Sequence, residues 1–165
     1  MMESPFVSDS DKVGIHIQIA CSRDELPAPA SLYQWVLQVL SFHAREGEIL
    51  LRLVDLDEIQ ILNHTYRNMS QSTNVLAFPY NPVPGEPDTG YLGDIVLCGS
   101  VILREAGEQG KNVTDHWAHM VVHGALHLLG YDHQTSAETI EMEAVEKEIL
   151  ARLSISDPYD HQCEL

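Results

Sequence analysis

The sequence predicts one α+β domain. Three observations carry this: four short stretches with strand patterns, five stretches with helical spacing or caps interleaved with them, and 165 residues with no internal repeat. A chain of that length buries an adequate core without disulfide or metal staples. Its 44% hydrophobic content is that of a globular protein.

Each element has a local reason. In Val13 to Ala20, V-G-I-H-I-Q-I-A, period-two spacing puts Val13, Ile15, Ile17 and Ile19 on one side, as in a half-buried strand. From Ser31 to Ala44, Leu32, Trp35, Val36, Val39 and Leu40 fall at i, i+3, i+4, i+7 and i+8, one buried helix face. Glu48 to Val54 reads as the second strand. Asp55 with Glu58 resembles a capping box for a helix through Ile59, Leu62 and Tyr66 to about Arg67. Thr73 to Phe78 is the third strand, ended by Pro79, which has no N–H for a ladder. Three prolines and two glycines make Asn81 to Gly90 a loop, and Tyr91 to Cys98 is the fourth strand.

A helix follows from Ser100, with Gly107 and Gly110 as its breakers. Thr114 or Asp115 caps the next, which runs through Trp117, Met120, Val121, Leu126 and Leu128 and stops at Gly130. Thr135 with Glu138 forms another capping box, for a last helix expected to turn Ile140, Ala144, Val145, Ile149 and Leu153 inward before Pro158. Residues 1–12 are expected to be flexible and 155–165 to form a C-terminal tail.

Composition narrows the function. Cys21, Cys98 and Cys163 are odd in number, far apart and without a CxxC pair, so neither a disulfide framework nor a zinc ribbon is indicated. The acidic N-terminus is not that of a secretory signal peptide, and no apolar run reaches the roughly 18 residues that span a bilayer. A soluble, cytoplasmic protein without a membrane partner is expected. Nine Lys plus Arg against 25 Asp plus Glu gives a net charge of −16, which opposes any broad electrostatic hold on nucleic acid. Glu138, Glu141, Glu143, Glu146 and Glu148 crowd the last helix and read as a solvated face.

Val121 to His133, V-V-H-G-A-L-H-L-L-G-Y-D-H, carries the chemistry. Residues four apart on a helix have Cβ atoms about 5–6 Å apart, so His123 and His127 can converge on one ion. Gly130 can take the left-handed conformation that ends the helix, and His133 can then swing back as a third ligand. Three neutral imidazoles leave tetrahedral zinc one open position, as in a catalytic site. A water there becomes a usable nucleophile near neutral pH. The spacing is that of the metzincin motif HExxHxxGxxH, except that Gly124 stands where those peptidases have their general-base Glu. The zinc deaminase pattern, HxE with PCxxC, is not matched.

This run, with L-N-H-T-Y-R (Leu62 to Arg67), T-N-V-L-A-F-P (Thr73 to Pro79) and L-G-D-I (Leu92 to Ile95), resembles the bacterial YbeY family of endoribonucleases over nearly the whole chain. The resemblance implies one metal-dependent hydrolase domain over residues 1–165, with a four-stranded, mostly parallel sheet flanked by helices, zincin- or metzincin-like in architecture. It implies one Zn2+ held by His123, His127 and His133, with Arg67 as the functional arginine. The implied activity is single-strand-specific cleavage in ribosomal RNA maturation, at the 16S rRNA 3′ end, and in ribosome quality control. Partners would be ribosomal RNA and ribosomal or ribosome-associated proteins, and not DNA. Where many members carry Asp, this chain has Asn74, which keeps a hydrogen-bonding role but not an acid–base one.

Arg67 is either a bidentate phosphate ligand that stabilises charge at phosphorus or a cation offsetting its helix dipole. The resemblance favours the first. His119, one turn before His123, could be a fourth ligand, but that would close the site, so a hydrogen-bond partner of a ligand or a surface residue is expected; Asp132 could orient a histidine N–H. Asp94 is a turn residue or another such carboxylate. His16, His43, His64, His116 and His161 have no matching spacing and receive no role. Trp35, Trp117 and Phe78 read as core rather than base-stacking surfaces. A zinc-bearing assembly factor without turnover and a metal hydrolase with a non-RNA substrate remain alternatives.

Overall fold

Alternate side chains along the central strands are fully buried, which puts those strands between two packed layers. The computed structural model describes residues 2–7, 13–22, 26–67 and 73–159, with the side chains of 2–7 and of Arg67 outside the described residues. Cys163, His161 and the rest of 160–165 also lie outside them, as do residues 8–12. The strands are β1 (Met2–Val7), β2 (Val13–Ala20), β3 (Gly47–Val54), β4 (Val75–Pro79) and β5 (Tyr91–Cys98). The helices are α1 (Pro29–Phe42), α2 (Leu56–Arg67), α3 (Gly99–Gln109), α4 (Val113–Leu128) and α5 (Ser136–Arg152).

The sheet runs β1-β2-β3-β5-β4, with β2–β3 and β3–β5 parallel and the outer pairs β1–β2 and β4–β5 antiparallel. All four expected strands are present, and two of the three pairings among them are parallel. Met2–Val7, expected to be flexible, instead adds a fifth strand along β2. Its sequence, with a proline and two polar residues in six positions, carries no clean period-two pattern.

One sheet face, with Ile15, Ile17, Ile49, Leu51, Leu53, Ile95 and Leu97, packs in the main core with residues of α1 and α4. The other face presents Val54, Leu76, Val96 and Cys98 to Ile59 of α2 and Val101 of α3. Helix α4 is the inner helix. From His116 to Leu128 every residue is buried except His123 and His127, so the buried surface stops where the histidines emerge.

Gly124 explains how α4 comes so close. A Cβ there would lie 2.7 Å from Ile95 Cγ2 and 3.2 Å from Val75 Cγ2, closer than carbon atoms pack. The contact that excludes a side chain also excludes the metzincin glutamate.

Several element boundaries depart from expectation. Gly107 stays inside α3, and Gly110, left-handed at φ 65°, ends it. Asn112 caps α4, accepting from Asp115 N at 3.1 Å, ahead of the expected Thr114 or Asp115. Both Glu58 carboxylate oxygens take Arg52 N–H groups, at 2.6 and 3.0 Å, in a fork that ties α2 to β3. The capping box of Thr135 and Glu138 is formed. The inward face of α5, however, holds Met142, Glu146, Ile149 and Leu150, while Ile140 is 70% exposed and Ala144 is on the surface. Of the expected tail, residues 155–159 fold back, with Ile155 packed against the core. No helix among the described residues is long and apolar enough to cross a membrane.

Replacing Gly124 by Ala should lower stability by about 1–3 kcal/mol through overpacking against Ile95, read as a lower urea midpoint with an unchanged slope.

Candidate metal centre and groove

The last two turns of α4 carry His123 and His127 on the one side the core leaves open. Tyr131 N bonds to Leu126 O and Gly130 N to His127 O, each at 3.1 Å, and Gly130 at φ 103° turns the chain where a side chain would be strained. His133 returns so that its ring lies 5.0 Å from that of His127 and 5.7 Å from that of His123. One ligand atom from each histidine lies within 4.8 Å of the others.

Hydrogen bonds settle which nitrogens are free. His123 Nδ1 is 2.7 Å from Glu146 Oε2, and His127 Nδ1 is 2.9 Å from the Tyr131 carbonyl oxygen. Both partners are acceptors, so each ring carries its proton on Nδ1 and bares the lone pair on Nε2. Those two Nε2 atoms face each other at 3.1 Å. Two lone pairs in that position repel unless a cation or proton stands between them. Nitrogens bound tetrahedrally to zinc at 2.0–2.1 Å stand about 3.3 Å apart. The donor set and its spacing fit such an ion.

Glu146 joins this cluster without having been marked out by the sequence. It was read as part of a solvated acidic face, yet it is 0% exposed. Its Oε1 accepts from Tyr159 OH at 2.5 Å, and His119 Nε2 donates to the same hydroxyl at 3.1 Å while lying 3.6 Å from Glu146 Oε2. Burial opposes ionisation of Glu146, but His119 and His123 more than offset it and hold the carboxyl down to about 2. A signal was available: Glu146 sits four residues after Met142 and three before Ile149, in the buried stripe of α5. Burial, followed by repulsion from His123 and His133, pushes His127 down to about 4, so its ring is neutral at physiological pH.

The other candidates divide. His119 is buried and reaches the centre through Glu146 and Tyr159. His119, His123 and Glu146 form a second group with metal-ligand spacing. The 2.7 Å contact of His123 Nδ1 with the carboxylate is a hydrogen bond, which orients the ring instead. Asp132 Oδ1 accepts from the His133 backbone N–H at 2.7 Å, shaping the turn rather than orienting an imidazole. Asp94 is not beside the histidines. It alternates with Ile95, the residue under Gly124, and so shares the opposite sheet face with Val96. There burial raises its pKa, and its Oδ1 is buried without a partner among the described residues. His43, given no role, contacts the Tyr131 hydroxyl at 2.9 Å and donates from Nδ1 to Val39 O at 2.7 Å, bracing the residue whose carbonyl holds His127.

A groove of about 850 Å³ opens from the three histidines along β4 to Asn63 and Tyr66 of α2. Arg67 ends that helix. Asn74, also lining the groove, donates to Glu105 Oε1 at 3.0 Å, and buried His116 Nε2 lies 2.9 Å from the same oxygen.

Comparison with known proteins follows the same pattern of residues. The family described as Endoribonuclease YbeY matches residues 18–154 of the chain. The chain belongs to the YbeY family. Its relatives named Endoribonuclease YbeY include one from Psychromonas ingrahamii, 48% identical over 150 residues that cover 88% of this chain and 94% of that one. Another, from Halorhodospira halophila, is 49% identical over 138 residues, covering 82% and 90%. In fold, this YbeY family member is similar to the solution structure of a Thermotoga maritima protein, with a TM-score of 0.53 and 23% identity over 88% of this chain and 99% of that one.

Glu146→Gln keeps the shape of the carboxylate and removes its charge. It should weaken zinc binding by about 10–100-fold in competition with a chromophoric chelator, with secondary structure retained. A second expectation concerns acid. The pKa of His127 is depressed in the fold, from 6.5 to about 4, so the unfolded chain takes up its proton first and the stabilisation present above 6.5 is lost as pH falls toward 4. Urea midpoints of the metal-free protein should fall across that window, and less so in His127→Gln.

Proposed function

We propose that this chain is a zinc-dependent, single-strand-specific endoribonuclease of ribosomal RNA maturation, working in the cytoplasm at the 16S rRNA 3′ end and in ribosome quality control. The observation that carries the reading is the pair of bare Nε2 atoms 3.1 Å apart at the head of an 850 Å³ groove. Membership of the family, whose relatives are named endoribonucleases, supplies the reaction class. His123, His127 and His133 would hold one zinc ion, which supplies Lewis acidity at the phosphoryl group or toward a water nucleophile.

This chain's own residues divide the remaining work. Glu146 and the Tyr131 carbonyl hold two of the imidazoles in the ligating tautomer. Arg67, at the end of the helix that walls the groove, would bind the scissile phosphate and oppose the charge that grows on it. Gly124 leaves no carboxylate at the metzincin position, so the proton acceptor comes from elsewhere in or beside the groove. Attack by the 2′-OH leaves a 2′,3′-cyclic phosphate, and attack by water leaves 3′-OH with 5′-phosphate. With a net charge of −16, the protein should bind free RNA weakly and in a salt-sensitive way, reaching its substrate with the help of ribosomal or ribosome-associated proteins.

Single-turnover cleavage of precursor ribosomal RNA tests this, using wild type, His127→Ala and Arg67→Ala with metal content verified. Wild type should cut, Arg67→Ala should cut about 10²–10³-fold more slowly, and His127→Ala should fall to background, with end groups naming the nucleophile. Equal residual cutting by all three would overturn the nuclease and leave a zinc-bearing assembly factor.

A further inference from the structure

Nine cations against 25 carboxylates leave this protein little phosphate attraction with which to place an RNA strand. Some other contact has to set the register of the strand over the metal centre. The groove contains one. Tyr66, next to last in α2, is 67% exposed, and its ring stands 5.3 Å from that of Phe78 on β4 at an interplanar angle of 69°. Phe78 is half-buried against the smaller core, so it acts as a fixed support for a ring that is itself mostly uncovered. Both rings line the groove that His123, His127 and His133 head.

The strand between them adds polar groups. Cys98 N bonds to Asn74 O at 3.0 Å and Tyr80 N to Leu92 O at 2.9 Å, so the even-numbered residues of β4 face β5 in the antiparallel ladder. The N–H and C=O groups of Val75 and Ala77 therefore point away from β5. Since β4 is the last strand of the sheet among the described residues, they point toward the groove that both residues line.

We propose that Tyr66, supported by Phe78, is a nucleobase platform: one base of the RNA strand beside the scissile phosphate stacks on the Tyr66 ring. The outward backbone groups of Val75 and Ala77 then meet the edge of that base or its sugar. This deepens the nuclease reading and rests on it. A peptide added along β4 would find outward N–H groups at Val75 and Ala77 alone within the strand, because it has five residues and ends in Pro79, which offers only a carbonyl. An exposed aromatic face suits a base better.

Binding of short single-stranded RNA to the zinc-loaded protein decides the matter. Three probes of equal length are needed: an RNA with 2-aminopurine in each position in turn, its fully abasic ribose-phosphate counterpart, and an unstructured peptide. In wild type, 2-aminopurine fluorescence should be quenched at one position. Tyr66→Phe should keep both the quenching and the affinity. Tyr66→Ala, with its zinc content unchanged, should lose the quenching and bind RNA roughly tenfold more weakly while binding the abasic strand as wild type does. Equal weakening toward both strands would show a merely structural tyrosine and overturn the proposal. So would unchanged binding and quenching in Tyr66→Ala, or displacement by the peptide where RNA has no effect. The underlying reading fails separately: in that case wild type neither binds nor cuts RNA, whatever stands at position 66.

Discussion

A neutral imidazole has one N–H and one lone pair, and in His123 and His127 the N–H is already committed. The Glu146 carboxylate takes one and the Tyr131 carbonyl takes the other. What remains is two lone pairs 3.1 Å apart, an arrangement that is stable only around a positive charge. Much of the surrounding structure serves that constraint. Helix α5 must approach α4 closely enough to deliver Glu146, residues 155–159 must fold back so that Tyr159 satisfies its other oxygen, and Gly130 must reverse the chain so that Tyr131 and His133 face the helix they follow.

A fully buried carboxylate is expensive, by several kcal/mol, unless each oxygen is hydrogen-bonded. Here Oε2 has His123 and Oε1 has Tyr159, and His119 donates to the Tyr159 hydroxyl while standing 3.6 Å from Oε2. His119 donates through Nε2, which leaves its Nδ1 buried without a partner among the described residues. The cluster thus has the usual form of a metal-ligating histidine backed by a carboxylate, with a second layer of hydrogen bonds holding the carboxylate itself. This layer fixes the orientation of the His123 ring, while the facing lone pairs still require a positive charge between them.

The sheet decides what lies in front of the metal. Among the described residues β4 pairs with β5 alone, and the groove forms between its other edge, the end of α2 and the histidine turn. The close approach of α4 to β5 at Gly124 brings the metal centre down beside this edge and removes the room that a peptidase glutamate would need. A helix that carries the histidine spacing of the metzincin motif is thus sterically closed to that motif's glutamate. The groove in front of the histidines is lined by α2, by β4 with the residues before it, and by α4 with the turn that follows it.

Much of this was legible in the chain. Period-two and 3.6-residue spacings located four strands and five helices, because burial of one face leaves its mark on every second or fourth residue. The histidines were legible because a helical turn and a glycine fix their relation locally, within eleven residues. By itself the sequence determined which three histidines come together, the helix–turn that gathers them and the family. Met2–Val7 was not legible, since an edge strand is held by backbone hydrogen bonds that its side chains need not announce. Nor was Glu146, which in sequence is one of five glutamates on an acidic helix. Only the tertiary structure decided which of them turns inward to His123, that Asp94 faces away from the three histidines and that Tyr66 meets Phe78, because each of these depends on how separate elements pack against one another.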